Sequence, residues 1–213
     1  VDHPHESAHL HVAGEALYVD DIPEVAGTLH AALGLSEKAH ARIRSLDLAA
    51  VRSAPGVVGV LTAADIPGAN DCGPIIHDDP ILADGLVQYA GQPMFVVVAA
   101  SYDAARRAAR LAKVDYEVLP PVLTPQDAKR LQSYVLPPMH LKRGHPDAAM
   151  AAAPRRLAGE LYVGGQEHFY LEGQVSYAVP REDGCIHLYC STQHPTEMQH
   201  VVAHALNLVA NQV

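Results

Sequence analysis

The stretch Pro93-Met-Phe-Val-Val-Val-Ala-Ala-Ser-Tyr-Asp-Ala-Ala-Arg-Arg-Ala-Ala-Arg-Leu-Ala-Lys-Val-Asp-Tyr-Glu-Val118 decides the fold class. Pro93 to Ala100 is a short continuous apolar run, the signature of a strand buried on both faces. Ser101 then offers a capping oxygen ahead of the Ala-rich residues Ala104 to Ala112, with Asp103 early and Lys113 late to match the helix dipole. Val114, Tyr116 and Val118 alternate with charged residues, as in a half-exposed strand. Strand, helix and strand within 26 residues predict an α/β (α+β) layer, although the unit is short for a crossover connection.

Working outward, Thr28 to Leu35 places Leu29, Ala31, Leu33 and Leu35 on one face of a half-buried strand, and Ile43 to Leu48 predicts another. Asp47 to Ser53 reads as one or two helical turns stopped by Pro55 and Gly56, before the β-branched run Val57 to Leu61. Thr62 with Asp65 resembles a capping box, and Asn70 to Pro80 reads as an exposed loop. Pro120, Pro121, Pro125, Pro137 and Pro138 break regularity, so an extended linker and a domain boundary are expected between Leu119 and Gly144. Beyond it come an Ala-rich turn at Asp147 to Ala153 and a strand from Arg155 to Val163. Strands at Gln174 to Val179 and Cys185 to Ser191 follow, joined by Arg181-Glu-Asp-Gly184. The last element is a helix opened by Pro195, with Met198, Val201, Val202, Ala205, Leu206 and Val209 at helical spacing.

The 213 residues carry 15 Lys plus Arg against 24 Asp plus Glu, a net charge of −9, which argues against a phosphate-backbone binder. With 5% aromatic residues and no Trp, nucleic-acid stacking platforms also lose support, and the core must be built from Ala, Val and Leu. No apolar run is long enough to span a membrane and no secretory leader is evident, so the cytoplasm is the expected home. Cys72, Cys185 and Cys190 are odd in number and lack Cys-x-x-Cys spacing, which predicts neither a disulfide scaffold nor a self-contained zinc or iron–sulfur site.

Fourteen histidines include two clusters that invite a metal reading: His3, His5, His9 and His11, and the pair His200 and His204 one helical turn apart. Val201 stands where the general base of a helical zinc protease would be, so a solvated helix face and a mobile terminus compete with the metal reading. Asp20 with Asp21, and Asp78 with Asp79, read as turn and cap residues. The most informative stretch is Gly159-Glu-Leu-Tyr-Val-Gly-Gly-Gln-Glu-His-Phe-Tyr-Leu-Glu172. A strand ending at Gly164 and Gly165 lets the backbone turn tightly or approach another group, and Gln166 follows with two amide donors and a carbonyl acceptor. Such an amide can hold an oxo or anionic ligand; an ordinary β-bulge is the competing reading.

That segment, together with Gly14-Glu-Ala-Leu-Tyr-Val-Asp-Asp-Ile-Pro23, the run from Lys38 to Asp47 and the turn from Leu61 to Gly68, resembles the molybdenum-bearing subunits of the xanthine dehydrogenase and aldehyde oxidase family. The resemblance covers nearly the whole chain. It implies a hammerhead-type α/β domain over residues 1–118, a linker over 119–144, and the beginning of a mixed α/β molybdopterin-binding domain over 145–213. It also implies that Gly164, Gly165 and Gln166 face the cofactor, Gln166 beside the molybdenum, with Glu167, His168 and Phe169 bracing the loop and Phe169 as a buried anchor. No catalytic base is expected within this chain, which would be part of a longer subunit and inactive by itself.

For the complete enzyme the resemblance implies oxidation of purines such as hypoxanthine and xanthine with oxygen from water. Electrons would leave through two-iron two-sulfur clusters and FAD to NAD on other subunits or segments. Expected partners are the iron–sulfur/FAD subunit, a second copy of the assembly and the purine substrate, with no nucleic acid and no membrane. An aldehyde oxidase, or a non-catalytic scaffold and subunit-contact domain, are the alternatives.

Overall fold

The computed structural model describes residues 3 and 5–213. The first part contains helix α1 (Ala8–Ala13), β1 (His30–Leu35), β2 (Ala41–Asp47), α2 (Ala49–Arg52), β3 (Val57–Thr62), β4 (Leu86–Val87), β5 (Pro93–Ala99), α3 (Tyr102–Ala109) and β6 (Lys113–Val118). These strands form two three-stranded antiparallel sheets, ordered β1-β5-β3 and β4-β2-β6. The strand–helix–strand unit read from residues 93–118 is present, but β5 and β6 lie in different sheets, so no parallel crossover is made. A connection of so few residues is too short to return a strand parallel to its predecessor. Ser101 caps α3, its Oγ accepting from the Ala104 N–H at 3.3 Å.

One apolar core joins the two sheets and the helices. Phe95, Val97 and Ala99 of β5 pack with Val60 of β3, Val51 of α2, and Ala105 and Ala108 of α3; Met94 and Val87 extend the cluster, against which Val114 and Tyr116 of β6 pack. The buried face of β1 differs from the expected one. Leu29, Leu33 and Leu35 are about half exposed, while Ala32 and Gly34 point into the core. Gly34 lies opposite Phe95 in the register, and a Cβ there would sit 2.0 Å from the ring, so the large residues of β5 require small ones beside them.

The remaining elements are α4 (Pro125–Arg130), α5 (Pro146–Ala152), the hairpin β7 (Ser176–Pro180) and β8 (Ile186–Cys190), and α6 (Pro195–Leu206). By contacts, the chain divides into a compact unit of Val1–Pro120 with Leu171–Val213, and a second of Pro121–Tyr170. The second holds α4, capped by Thr124 Oγ1, in a stretch where the prolines suggested only extended linker; Pro125 starts this helix rather than breaking it. No strand forms at Arg155 to Val163. Its alternation is real, yet Leu157, Leu161 and Val163 are 98%, 86% and 71% exposed, and a strand without a pairing edge has no ladder to hold it.

Two devices tie the first unit together across long sequence separations. The capping box at Thr62 forms, with Asp65 accepting from the Thr62 N–H (2.7 Å) and Oγ1 (2.8 Å), and it leads the chain onto the end of α6. There the Gly68 and Ala69 N–H groups donate to the Ala205 and His204 carbonyls at 2.9 and 3.0 Å, satisfying acceptors that a helix C-terminus leaves open. At the other end, the Val19 N–H donates to Glu172 Oε1 (2.9 Å) and the Val25 N–H to the Tyr177 hydroxyl (2.8 Å).

The loop from Asn70 to Leu82 is organised by one carboxylate. Asp71 Oδ1 accepts from the N–H groups of Gly73 and Asp79, and Oδ2 accepts from His77 Nδ1 at 2.7 Å. The His77 ring above all, then the two amides, hold this carboxyl below the ordinary carboxylate range, against an opposing desolvation cost. A carboxyl with a depressed folded-state pKa stabilises the loop above its unfolded-state pKa. That contribution is lost as pH falls through the folded value. Exchange of the Gly73 and Asp79 amides should therefore accelerate below the ordinary Asp range, and Asp71→Asn should remove this pH dependence. Equal acid-induced opening in both proteins would contradict it.

Candidate functional site

Gly164, Gly165 and Gln166 lie in the second unit, on backbone without regular secondary structure. Gln166 is exposed, and among the described residues no hydrogen-bond partner engages its side-chain amide. The neutral amide is thus free to present both donors and its acceptor to an incoming group. A Cβ on Gly165 would meet nothing within 4 Å, and one on Gly164 only Tyr162 Cε1 at 4.0 Å. Open space surrounds both glycines, and among the described residues no contact requires glycine at either position.

The neighbouring residues divide in their behaviour. Glu167 Oε1 accepts from the His168 N–H at 3.0 Å, a local brace of the turn. Phe169, expected as a buried anchor, is instead 95% exposed, with a left-handed φ of 53°. No apolar surface of its own unit closes over it, so its ring has nothing to anchor to. Glu172 at the end of the motif does hold distant chain, through the Val19 contact described above. Sequence reading missed that tie and the Asp71–His77 pair, since neither has a local signature.

The metal readings of the histidines find no support among the described residues, which contain no group of three or more His, Cys, Asp or Glu able to hold an ion. The His200 and His204 rings are 6.3 Å apart on α6, and His9 and His11 lie on α1. Asp21 caps a turn through the Tyr18 N–H at 2.9 Å, in keeping with the turn reading of the paired acids. Cys72, Cys185 and Cys190 are free. Among the described residues no helix is long and apolar enough to cross a membrane.

Residues 13–120 match the aldehyde oxidase and xanthine dehydrogenase a/b hammerhead domain, and residues 127–213 match the molybdopterin cofactor-binding domain. A hammerhead domain followed by the start of a molybdopterin cofactor-binding domain marks the molybdopterin-bearing class of oxidoreductases. The chain belongs to the aldehyde oxidase and xanthine dehydrogenase family. It is similar to the xanthine dehydrogenase of Oryza sativa subsp. japonica, with 41% identity over 98% of this chain and 16% of that protein. With the xanthine dehydrogenase/oxidase of Gallus gallus it shares 39% identity over 98% of this chain and 15% of the relative. Its fold follows the aldehyde oxidoreductase of Desulfovibrio gigas, with a TM-score of 0.81 and 28% identity over 98% of this chain and 25% of the other. The chain therefore spans about one sixth of the length of the curated relatives it matches.

Proposed function

We propose that this chain supplies the hammerhead and the leading part of the cofactor-binding domain of a xanthine dehydrogenase, an enzyme that oxidises hypoxanthine and xanthine to urate. What supports the purine reading is 41% and 39% identity to two xanthine dehydrogenases, each over 98% of this chain. When bound, a molybdenum–molybdopterin group supplies the redox chemistry of hydroxylation with water, and the protein positions and tunes it.

The residues present fit such a group by the chemistry of their donors. Gln166 offers a neutral amide that can donate to an oxo ligand without placing a charge there, and its side chain is unengaged. Gly164 and Gly165 keep that approach clear of side chains. Iron–sulfur clusters, FAD and NAD held outside this chain would carry the electrons away in this reading. The partners in this reading are the iron–sulfur/FAD subunit and a second copy of the assembly. Three free thiols suit a reducing compartment, and we place the assembly in the cytoplasm.

The test is made on the complete assembly. Gln166→Ala should lower kcat about ten-fold, the size expected for one hydrogen bond to a charged or strongly polar group, with molybdenum content retained. Xanthine should be turned over in preference to simple aldehydes. Undiminished turnover at normal molybdenum occupancy would remove the role assigned to Gln166, and a preference for aldehydes would favour the aldehyde oxidase reading over the purine one.

A further inference from the structure

The two three-stranded sheets expose three long edges, and two of them carry their own protection. On β3, Arg52 Nη1 donates to the Val60 carbonyl at 3.0 Å. On β6, Lys113, Asp115 and Glu117 place charge along the edge, and Glu117 also faces Arg44 at 3.7 Å. Charges and plugged carbonyls are the usual defences against pairing with another chain. The sequence of β1, His-Ala-Ala-Leu-Gly-Leu, has no Lys, Arg, Asp, Glu or Pro, and among the described residues no strand lies beside its outer edge.

A cleft of about 390 Å³ opens at the Leu33–Leu35 end of β1, bounded also by Phe95 of β5, Tyr116 of β6, and Arg106 and Arg110 from α3 and the residue that caps it. Spacing of four residues puts both arginines on one side of the helix. Arg107, one step around, is paired with Asp103 at 3.8 Å, whereas among the described residues no carboxylate lies in salt-bridge range of Arg106 or Arg110. Arg106 stacks over the Tyr102 ring at 5.5 Å, and Glu37 is the one carboxylate lining the cleft, so the rim is net positive in a chain of net charge −9.

We propose that β1 is a docking edge for an extended acidic polypeptide segment, which adds as a fourth strand beside β1 while its carboxylates meet Arg106 and Arg110. Main-chain hydrogen bonds to the open edge supply affinity, and the guanidinium pair selects acidic side chains on one face of the incoming strand. A second copy of this chain is the weaker occupant. Pairing β1 with β1 would bring four guanidinium groups along one groove. The surface lies in the hammerhead and does not depend on the assignment of Gln166.

The probe is a fluorescein-labelled heptapeptide of alternating valine and glutamate, titrated into the complete assembly that contains this chain and followed by anisotropy and by hydrogen exchange of β1. Binding with protection of the β1 amides is expected, at least ten-fold tighter than for the same peptide with lysine in place of glutamate. N-methylation of the peptide along one edge should abolish binding, and along the other edge leave it intact. Arg106→Gln with Arg110→Gln should weaken binding at least ten-fold, and Arg107→Gln should not. No protection of β1, equal affinity for the lysine peptide, or self-association through β1 that excludes the peptide would each overturn the proposal.

Discussion

Gly34→Ala should destabilise the hammerhead by about 3 kcal/mol, at the upper end of the cost of overpacking a core. The added methyl would lie 2.0 Å from Phe95 Cζ and 2.1 Å from Cε1. Phe95 is 1% exposed and belongs to the core cluster with Val97, Met94 and the alanines of α3, so the ring must shift out of its packed position to admit the methyl. For a chain of this length the melting midpoint should fall by about 6–12 °C. A companion Phe95→Leu change opens the space that the methyl needs. The double variant should then be more stable than the sum of the two single effects, because residues in contact couple. A strictly additive pair, or a Gly34→Ala midpoint within 2 °C of the parent as a rough bound, would mean that β1 does not meet β5 in this register.

The second large effect is expected at Gly68. A Cβ there would come 1.9 Å from the His204 carbonyl oxygen, 2.9 Å from the Asn207 nitrogen and 3.1 Å from the Ala205 carbonyl oxygen. All three are backbone atoms and cannot swing aside as a side chain would. Gly68→Ala must therefore lift the turn from the end of α6 and break the two hydrogen bonds made by the Gly68 and Ala69 amides. Two bonds and their packing are worth about 2–3 kcal/mol. Hydrogen exchange should show loss of protection at residues 68 and 69 and in the last turn of α6, with β5 and α3 unchanged. Protection that survives the substitution would count against this contact.

Much of the local structure was legible because its causes are local. Ser101 Oγ accepts from the amide three residues on, Asp65 reaches back three residues to accept from the Thr62 amide, and residues 181–184 form the hairpin turn that their composition favours. The motif from Gly159 to Glu172 was legible as a pattern, and Gln166 within it is exposed. What failed depended on partners. Arg155 to Val163 alternates like a strand but pairs with nothing, and Phe169 is apolar but has no surface of its own unit to enter.

The amino-acid order alone determined the class of fold, the position of most helices and strands, and the family, since periodicity, caps and motif order are properties of neighbouring residues. Only the tertiary structure decided which face of β1 is buried, that β5 and β6 belong to different sheets, and that Asp71 holds its loop through His77. Those outcomes turn on volumes and hydrogen-bond partners brought together from distant parts of the chain. A glycine beside a phenylalanine ring cannot be foreseen until the register of the two strands is known.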